Sequence, residues 1–301
     1  MQSNQLACLI CGSNAWHTSG IRGNREYSGA DPKAEPHYVT EVLQCDACGF
    51  FFTAPLNKAA DELEEMHYSR PDSYHGPDDE NCDLRLKAIQ RYCPTGCLLD
   101  IGAGKGEFIR AAIRSGFEAR GIEPSVNFAA YASDELKLPV RQGYLDKPGL
   151  FDVEKFDVVT LFHVLEHVHQ PHELIALLRT YMKEDGLLLI EVPNTEGFLM
   201  KVIDVFYRIR GLQWSSRLSP YHPPFHRYGY AKRSITRLLH QHGLDVILVQ
   251  TYSGFQRKME GNSSSLLVFL RNTLMRFIHL FGNRELLLVL AKPIRHQGNK
   301  L

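Results

Sequence analysis

The sequence has no excess of charge of either sign. Its 34 Lys and Arg residues are matched by 34 Asp and Glu, so no global field gathers the chain onto DNA, RNA or an anionic membrane. Residues 1–75 contain no run of Lys or Arg, and with it the footprint of a nucleic-acid-gripping module is missing. No apolar run approaches the ~20 residues that span a bilayer; stretches such as Leu266–Leu270 are far shorter. The start, MQSNQLACLI, lacks a basic stretch followed by a long apolar one and does not read as a secretory signal. At 44% hydrophobic and 23% charged residues, neither disorder nor a fibrous repeat fits. The expectation is a cytoplasmic globular protein with about two domains in its 301 residues.

Cysteine is present seven times, and Cys82, Cys93 and Cys97 have no partner at a telling spacing. The other four repeat one pattern, Cys8-Leu-Ile-Cys11-Gly12 and Cys45-Asp-Ala-Cys48-Gly49. A two-residue spacer lets both thiolates of a turn face one ion, and the glycine that follows takes φ > 0, turning backbone N–H groups toward the sulfurs. Cys8, Cys11, Cys45 and Cys48 therefore read as the ligands of a closed, structural Zn²⁺ site, with a redox dithiol as the alternative; a reducing compartment disfavours two disulfides. Four thiolates leave no open position, so this module is expected to fold and dock rather than catalyse. The long gap between the knuckles predicts an inserted hairpin with Tyr38–Leu43 as one strand.

From Cys97 the pattern is an apolar strand, a glycine loop and an amphipathic helix carrying Phe108, Ile109, Ala112 and Ile113. A dinucleotide fingerprint starting at Gly102 needs glycine or alanine where Glu107 stands. A P-loop needs a hydroxyl residue after Lys105, and Gly106 follows it. What remains is D-x-G-x-G-x-G, with Asp100 at a strand end and Gly102, Ala103, Gly104 and Gly106 in the loop. An acidic residue beside the loop suits a ligand with an amino group and a sulfonium better than a pyrophosphate.

At these residues the sequence resembles the S-adenosylmethionine-dependent methyltransferases of the Rossmann-like class. The resemblance runs from about residue 97 to 292. It covers a second strand ending in Glu123-Pro124, whose carboxylate would accept both ribose hydroxyls, and a buried strand, Phe156–Phe162, leading into His163, with Phe162 and His163 beside the methionine part of the cofactor. Beyond these come a helix opened by Pro171, a strand from Gly186 to Asn194, a late helix and strand over Tyr230–Thr251, and Glu285–Lys292 as an antiparallel seventh strand. The implied fold is α/β, a Rossmann-like seven-stranded mixed sheet with strand seven antiparallel, behind a small N-terminal zinc-knuckle domain. The expected division is 1–75 for the zinc-binding domain and connector, and 76–301 for the methyltransferase domain with an insertion at about 195–229. Paired knuckles in front of such a domain resemble a bacterial subfamily that includes sugar methyltransferases.

Methyl transfer is an in-line displacement, so a base is needed only where the nucleophile must lose a proton. His163 and Glu166-His167 follow the fourth strand, and Tyr221–Tyr228 follows the fifth, where this family covers its acceptor. His226, His222 and His167 are the candidate bases or acceptor contacts. His169, His172, His240 and His242 read as solvated helix faces. Glu166-His167 is alternatively half of a divalent-metal site of the kind used by some related RNA-end and quinone O-methyltransferases. Phe198–Arg210 is apolar at helical spacing with basic residues on its other side; a packed lid, an acceptor-pocket wall and a surface resting on lipid all stay open. Ser265–Phe281 is similar, and helix packing or dimerisation is the expectation there.

Together these readings predict an S-adenosylmethionine-dependent methyltransferase, monomeric or homodimeric, for a small-molecule acceptor. The leading acceptor class is a nucleotide-activated or lipid-linked sugar of cell-surface polysaccharide or secondary metabolism. The alternatives are an RNA or protein methyltransferase that grips its substrate with the zinc module, and a cofactor-binding partner protein without turnover. DNA is not an expected partner, and peripheral membrane contact stays open.

Overall fold

The structure, a computed structural model, describes residues 6–23, 38–56, 58–68, 76–77, 79–146, 150–151, 155–253 and 283–294; Ser265–Phe281 and the 69–75 connector lie outside them. Two sheets are formed. The N-terminal one is an antiparallel meander of β1 (Trp16–Gly23), β2 (Val39–Cys45) and β3 (Phe51–Thr53). The expected hairpin is therefore there, with its second strand running two residues beyond Leu43 to carry Cys45 into the sheet.

Two helices, α1 (Ala59–Tyr68) and α2 (Asp79–Gln90), lead into the second sheet. Its strands are β4 (Gly96–Ile101), β5 (Phe117–Glu123), β6 (Val140–Gln142), β7 (Phe156–Phe162), β8 (Met182–Pro193), β9 (Leu244–Tyr252) and β10 (Leu286–Pro293), in spatial order β6-β5-β4-β7-β8-β10-β9. β10 lies antiparallel between β8 and β9, and the pairings among β4 to β8 are parallel. This is the seven-stranded mixed sheet expected from the motifs. Its helices are α3 (Glu107–Arg114), α4 (Val126–Ala130), α5 (Pro171–Tyr181), α6 (Phe198–Ile209) and α7 (Lys232–Gln241). β6 has only three residues, too few for a periodicity signal, and it is the strand that the sequence pattern leaves unmarked.

Parallel strands covered on both faces read as unbroken apolar runs rather than alternations. Leu98, Leu99, Val158, Val159, Leu188, Leu189, Leu288 and Val289 are all fully buried, each stabilising by about 1.5–3 kcal/mol. One core continues into the N-terminal module: Cys8, Ile10, Cys45, Cys48 and Phe50 pack in the same cluster as Tyr230, Ile235, Leu238 and Leu239. Phe50 lies 5.2 Å from the Tyr230 ring and 5.4 Å from that of Tyr228. Phe51 and Gly229 exchange backbone hydrogen bonds at 2.8 and 2.9 Å. His172 also bridges the two parts: one ring nitrogen meets the Leu9 carbonyl at 2.9 Å and the other meets His242 Nε2 at 3.0 Å. Its reading as a solvated helix residue is corrected to an inter-module contact.

Candidate active site and cysteine centre

The two knuckles close on one point. All four sulfurs lie within 4.8 Å of one another, with Cys8–Cys48 at 3.7 Å and Cys11–Cys45 at 3.5 Å. Tetrahedral Zn–S bonds of ~2.3 Å hold sulfurs about 3.8 Å apart, so the cradle fits the ion, and a disulfide at ~2.05 Å does not describe these separations. Gly12 and Gly49 take φ of 70° and 74°, and their N–H groups donate to the carbonyls of Cys8 and Cys45 at 2.8 Å.

The second centre lies along the carboxyl ends of β4, β5, β7 and β8, where ligands bind in open α/β sheets. A cavity of about 1360 Å³ there is lined by Asp100, Gly102, Ala103 and Gly104 from the loop after β4, by Glu123 and Pro124 from β5, and by Phe162, His163, His167 and His226. Gly106 and His222 do not line it among the described residues. Gly106 instead caps α3 with φ 83°, and a Cβ there would sit 2.6 Å from Leu138. The Glu123 carboxylate accepts from the Gly104 N–H and the Ser125 N–H, both at 2.8 Å, which locks the loop against β5. Burial nevertheless raises its pKa. Asp100, held by the Thr160 hydroxyl at 2.6 Å, is pushed up to about 7 by burial.

These residues fit S-adenosylmethionine on an observation independent of the motif. Glu107 Oε2 is buried without a hydrogen-bond partner among the described residues, and burial raises that carboxyl as well. Three carboxylates thus face a cavity whose two arginines are already engaged: Arg85 is bonded to Glu191 and Arg227 to Glu64. A ligand bringing positive charge is what such a cavity lacks.

Glu191, fully buried near the end of β8, collects Arg85 (Nε at 2.9 Å), the Tyr252 hydroxyl and His163 (Nε2 at 3.0 Å). Burial opposes its charge, but Arg85 and His163 hold its carboxyl far below the usual range. The other nitrogen of His163 meets Glu166 at 3.2 Å. Burial works against the imidazolium here, yet its two carboxylate partners outweigh it and lift the pKa to about 9. His163, at φ 56°, is a charged clasp between β7 and β8.

The three candidate bases separate. His222 donates from Nδ1 to the Pro223 carbonyl at 2.9 Å and accepts from Arg22 Nε at 3.0 Å, and burial takes its pKa down to about 4. His226 approaches Glu166 at 3.7 Å, but burial brings its pKa to about 3. His167 has its Nδ1 3.0 Å from Glu64 Oε1, and its ring meets His226 edge-on at 5.3 Å. Glu166, His167 and His226 each offer an atom within 4.8 Å of the others, and Glu166 Oε2 is buried with no hydrogen bond among the described residues.

Sequence reasoning missed Glu64, Arg85 and Tyr252. Glu64 sits in the acidic run Asp61-Glu-Leu-Glu64-Glu65, where nothing local separates the carboxylate that turns inward from its solvated neighbours. Arg85 lies on α2, where only the tertiary fold shows that it stacks 4.1 Å over Phe162 and pairs with Glu191.

Comparison with known proteins agrees with this fold. A family described as a methyltransferase domain matches residues 73–249. A ubiquinone biosynthesis O-methyltransferase of Glaesserella parasuis is 31% identical over 126 residues, 38% of this chain and 53% of that protein; the chain spans about half the length of the curated relatives it matches. Among solved structures, the 1,6-didemethyltoxoflavin-N1-methyltransferase of Burkholderia thailandensis, with S-adenosylhomocysteine bound, shares the fold at TM-score 0.52 and 12% identity, covering 91% of this chain and 100% of that one. The geranyl diphosphate C-methyltransferase of Streptomyces coelicolor does so at TM-score 0.50 and 14% identity, covering 80% and 100%.

Proposed function

Because the chain belongs to the methyltransferase-domain family, we propose that it moves the methyl group of S-adenosylmethionine to a small-molecule acceptor, with Zn²⁺ held by Cys8, Cys11, Cys45 and Cys48 as a structural ion. The observation that carries the reading is the cavity lined by Asp100, Glu107 and Glu123, with no free cation among its described lining residues. The cofactor supplies an electrophilic methyl on a sulfonium. Glu123 and Pro124 would receive the ribose, Asp100 and Glu107 the methionine ammonium, and the Gly102–Gly104 backbone allows close approach. Phe162 and His163 would flank the methionine chain, and alignment with exclusion of water supplies most of the acceleration.

Proton removal from the acceptor falls best to His167. Its Nδ1–H donates to Glu64, which makes Nε2 the basic nitrogen; Glu64 is then a positioning residue. His226, held neutral by burial, serves as an acceptor contact, and His222 supports the loop from below through Arg22.

The acceptor class follows from charge. Arg85, Arg227 and His163 are all paired with carboxylates, so the described lining offers no unpaired cation for a diphosphate, whether of a nucleotide sugar or of a lipid-linked one, and a lipophilic acceptor without that group is the better fit. The sugar itself rests on the paired knuckles alone. The test is turnover of labelled cofactor with fractionated nucleotide-sugar, lipid, RNA and protein pools, with mass spectrometry of the product. Label confined to the lipid-extractable pool is expected; label in RNA or protein, or none in any pool, overturns the reading.

A second reading is carried by Glu166, His167 and His226, whose converging atoms would hold a divalent cation against the acceptor. Mn²⁺ titrated calorimetrically into the zinc-loaded protein should then bind, and Glu166→Gln should abolish binding; heat-free titration of the parent protein rules the ion out.

A further inference from the structure

An ordinary surface helix turns its apolar stripe inward and its charges to water. α6 instead leaves an apolar stripe in water between its cations and buries its one acidic residue. Its inner side is fastened by a polar anchor: buried Asp204 accepts from Ser216 N–H at 2.8 Å, Ser216 Oγ at 2.7 Å and Arg217 Nε at 2.7 Å. Tyr207, on the same side, packs edge-on against Trp214 at 5.3 Å, and Gln213 and Ser215 exchange backbone hydrogen bonds with Ile21 of β1 across an isolated bridge. The outer side presents Val202, Val205, Phe206 and Ile209, at spacing i, i+3, i+4 and i+7, with Phe206 52% and Ile209 80% exposed. At 100° per residue these four fall within one ~100° sector, and Lys201 and Arg208 lie along one edge of it while Arg210 lies along the other. All three cations are exposed, and Arg210 reaches over the Phe206 ring at 5.5 Å.

Charge decides what covers this face. Between residues 198 and 218 the single acidic residue is Asp204, buried and paired with Arg217. A second copy would bring cations against cations. The chain's own Ser265–Phe281 carries Arg271 and Arg276 and no acidic residue, so it offers the flanks no counter-charge. An apolar stripe bordered on both sides by Lys and Arg matches a bilayer surface with anionic headgroups, where the stripe enters the acyl boundary and the cations stay at headgroup level. The helix also starts at the rim of the active-site cavity: the Phe198 N–H donates to the Asn283 carbonyl at 2.9 Å, and Glu285 and Leu286, two and three residues on, line that cavity.

We infer that the outer face of α6 is a membrane-docking surface for anionic lipid, which seats the protein with its active-site cavity beside the bilayer. Docking stands on the exposed helix face and does not depend on the methyl-transfer reading. Flotation of the full-length protein with phosphatidylcholine vesicles containing about a third phosphatidylglycerol is the test. The protein should float with these vesicles, far less with phosphatidylcholine alone, and less again in about 0.5 M salt. Phe206→Ser with Ile209→Ser, and separately Lys201→Glu with Arg208→Glu and Arg210→Glu, should each lower the bound fraction about tenfold. Both should leave the melting temperature and S-adenosylhomocysteine affinity unchanged, since none of these side chains faces the core or the cavity. No flotation by the parent protein, equal flotation by the variants, or an apolar variant whose sole effect is to dissociate a dimer overturns the proposal. Calorimetry on the same preparation keeps this outcome separate from a failure of cofactor binding.

Discussion

Glu64 of α1 and His167, 103 residues apart in sequence, meet at 3.0 Å between carboxylate oxygen and ring Nδ1. Burial opposes the Glu64 charge, but the hydrogen bond to His167 and the nearby Arg227 guanidinium hold its carboxyl below the usual range. The pair joins the chain just after the N-terminal sheet to the segment that follows β7, and an ionised carboxylate there places a proton on His167 Nδ1. Glu64→Gln keeps the shape and removes the charge. The expected result is a kcat lower by about 10-fold to 100-fold with S-adenosylhomocysteine affinity unchanged, an altered acid limb of the pH–rate profile, and partial rescue by Glu64→Asp. A parallel loss of melting temperature in both variants, with an unchanged profile, would assign Glu64 a purely structural role.

His167→Asn should cost more than His226→Asn, about 10²–10⁴ in kcat against less than ~10. The reason is the buried setting of His226, which takes its pKa to about 3 and leaves it a weak base. Steady-state kinetics on the two variants decides the assignment.

His226 also makes a stability prediction. Its folded pKa of about 3 lies below the ordinary 6.5, so between those values the unfolded chain binds the extra proton. The neutral ring's contribution is complete above pH 6.5 and is lost as pH falls toward 3, on the order of 5 kcal/mol over the window. Denaturant melts from pH 7 to pH 4 should show a shallower acid loss for His226→Asn than for the parent.

Cofactor binding should separate by position. Glu123→Ala should weaken S-adenosylhomocysteine by about 1.5–3 kcal/mol, because a charged acceptor for the ribose is removed. Glu107→Gln should weaken it while leaving 5′-methylthioadenosine, which has no amino-acid end, bound as before. Calorimetry with both ligands checks the pair, and equal losses for the two ligands would move Glu107 away from the ammonium.

The purified protein should contain one zinc, and Cys8→Ser or Cys48→Ser should lose it. Because Cys8, Cys45 and Cys48 share a core with Ile235 and Leu238, the melting temperature of the whole protein should fall as one transition. Elemental analysis with calorimetric melting tests this, and a zinc-free, fully stable protein would sink it.

Local pattern was enough to determine the cysteine centre, the glycine loop and the order of the long strands, since each depends on residues within one turn or one strand: Cys-x-x-Cys-Gly, Asp100 to Gly106, and the apolar runs of β4, β7, β8 and β10. The same holds for Asp100 and Glu123, which sit at strand ends that the sequence marks. Tertiary structure alone decided what depends on long-range approach. It set which of four acidic residues on α1 turns inward to His167, that Arg85 and Tyr252 converge on Glu191, and that burial disarms His226 while two carboxylates charge His163. It also decided that α6 faces outward, because the amphipathic pattern of Phe198–Ile209 is the same whichever side is covered, and only the buried Asp204–Arg217 anchor says which side is in.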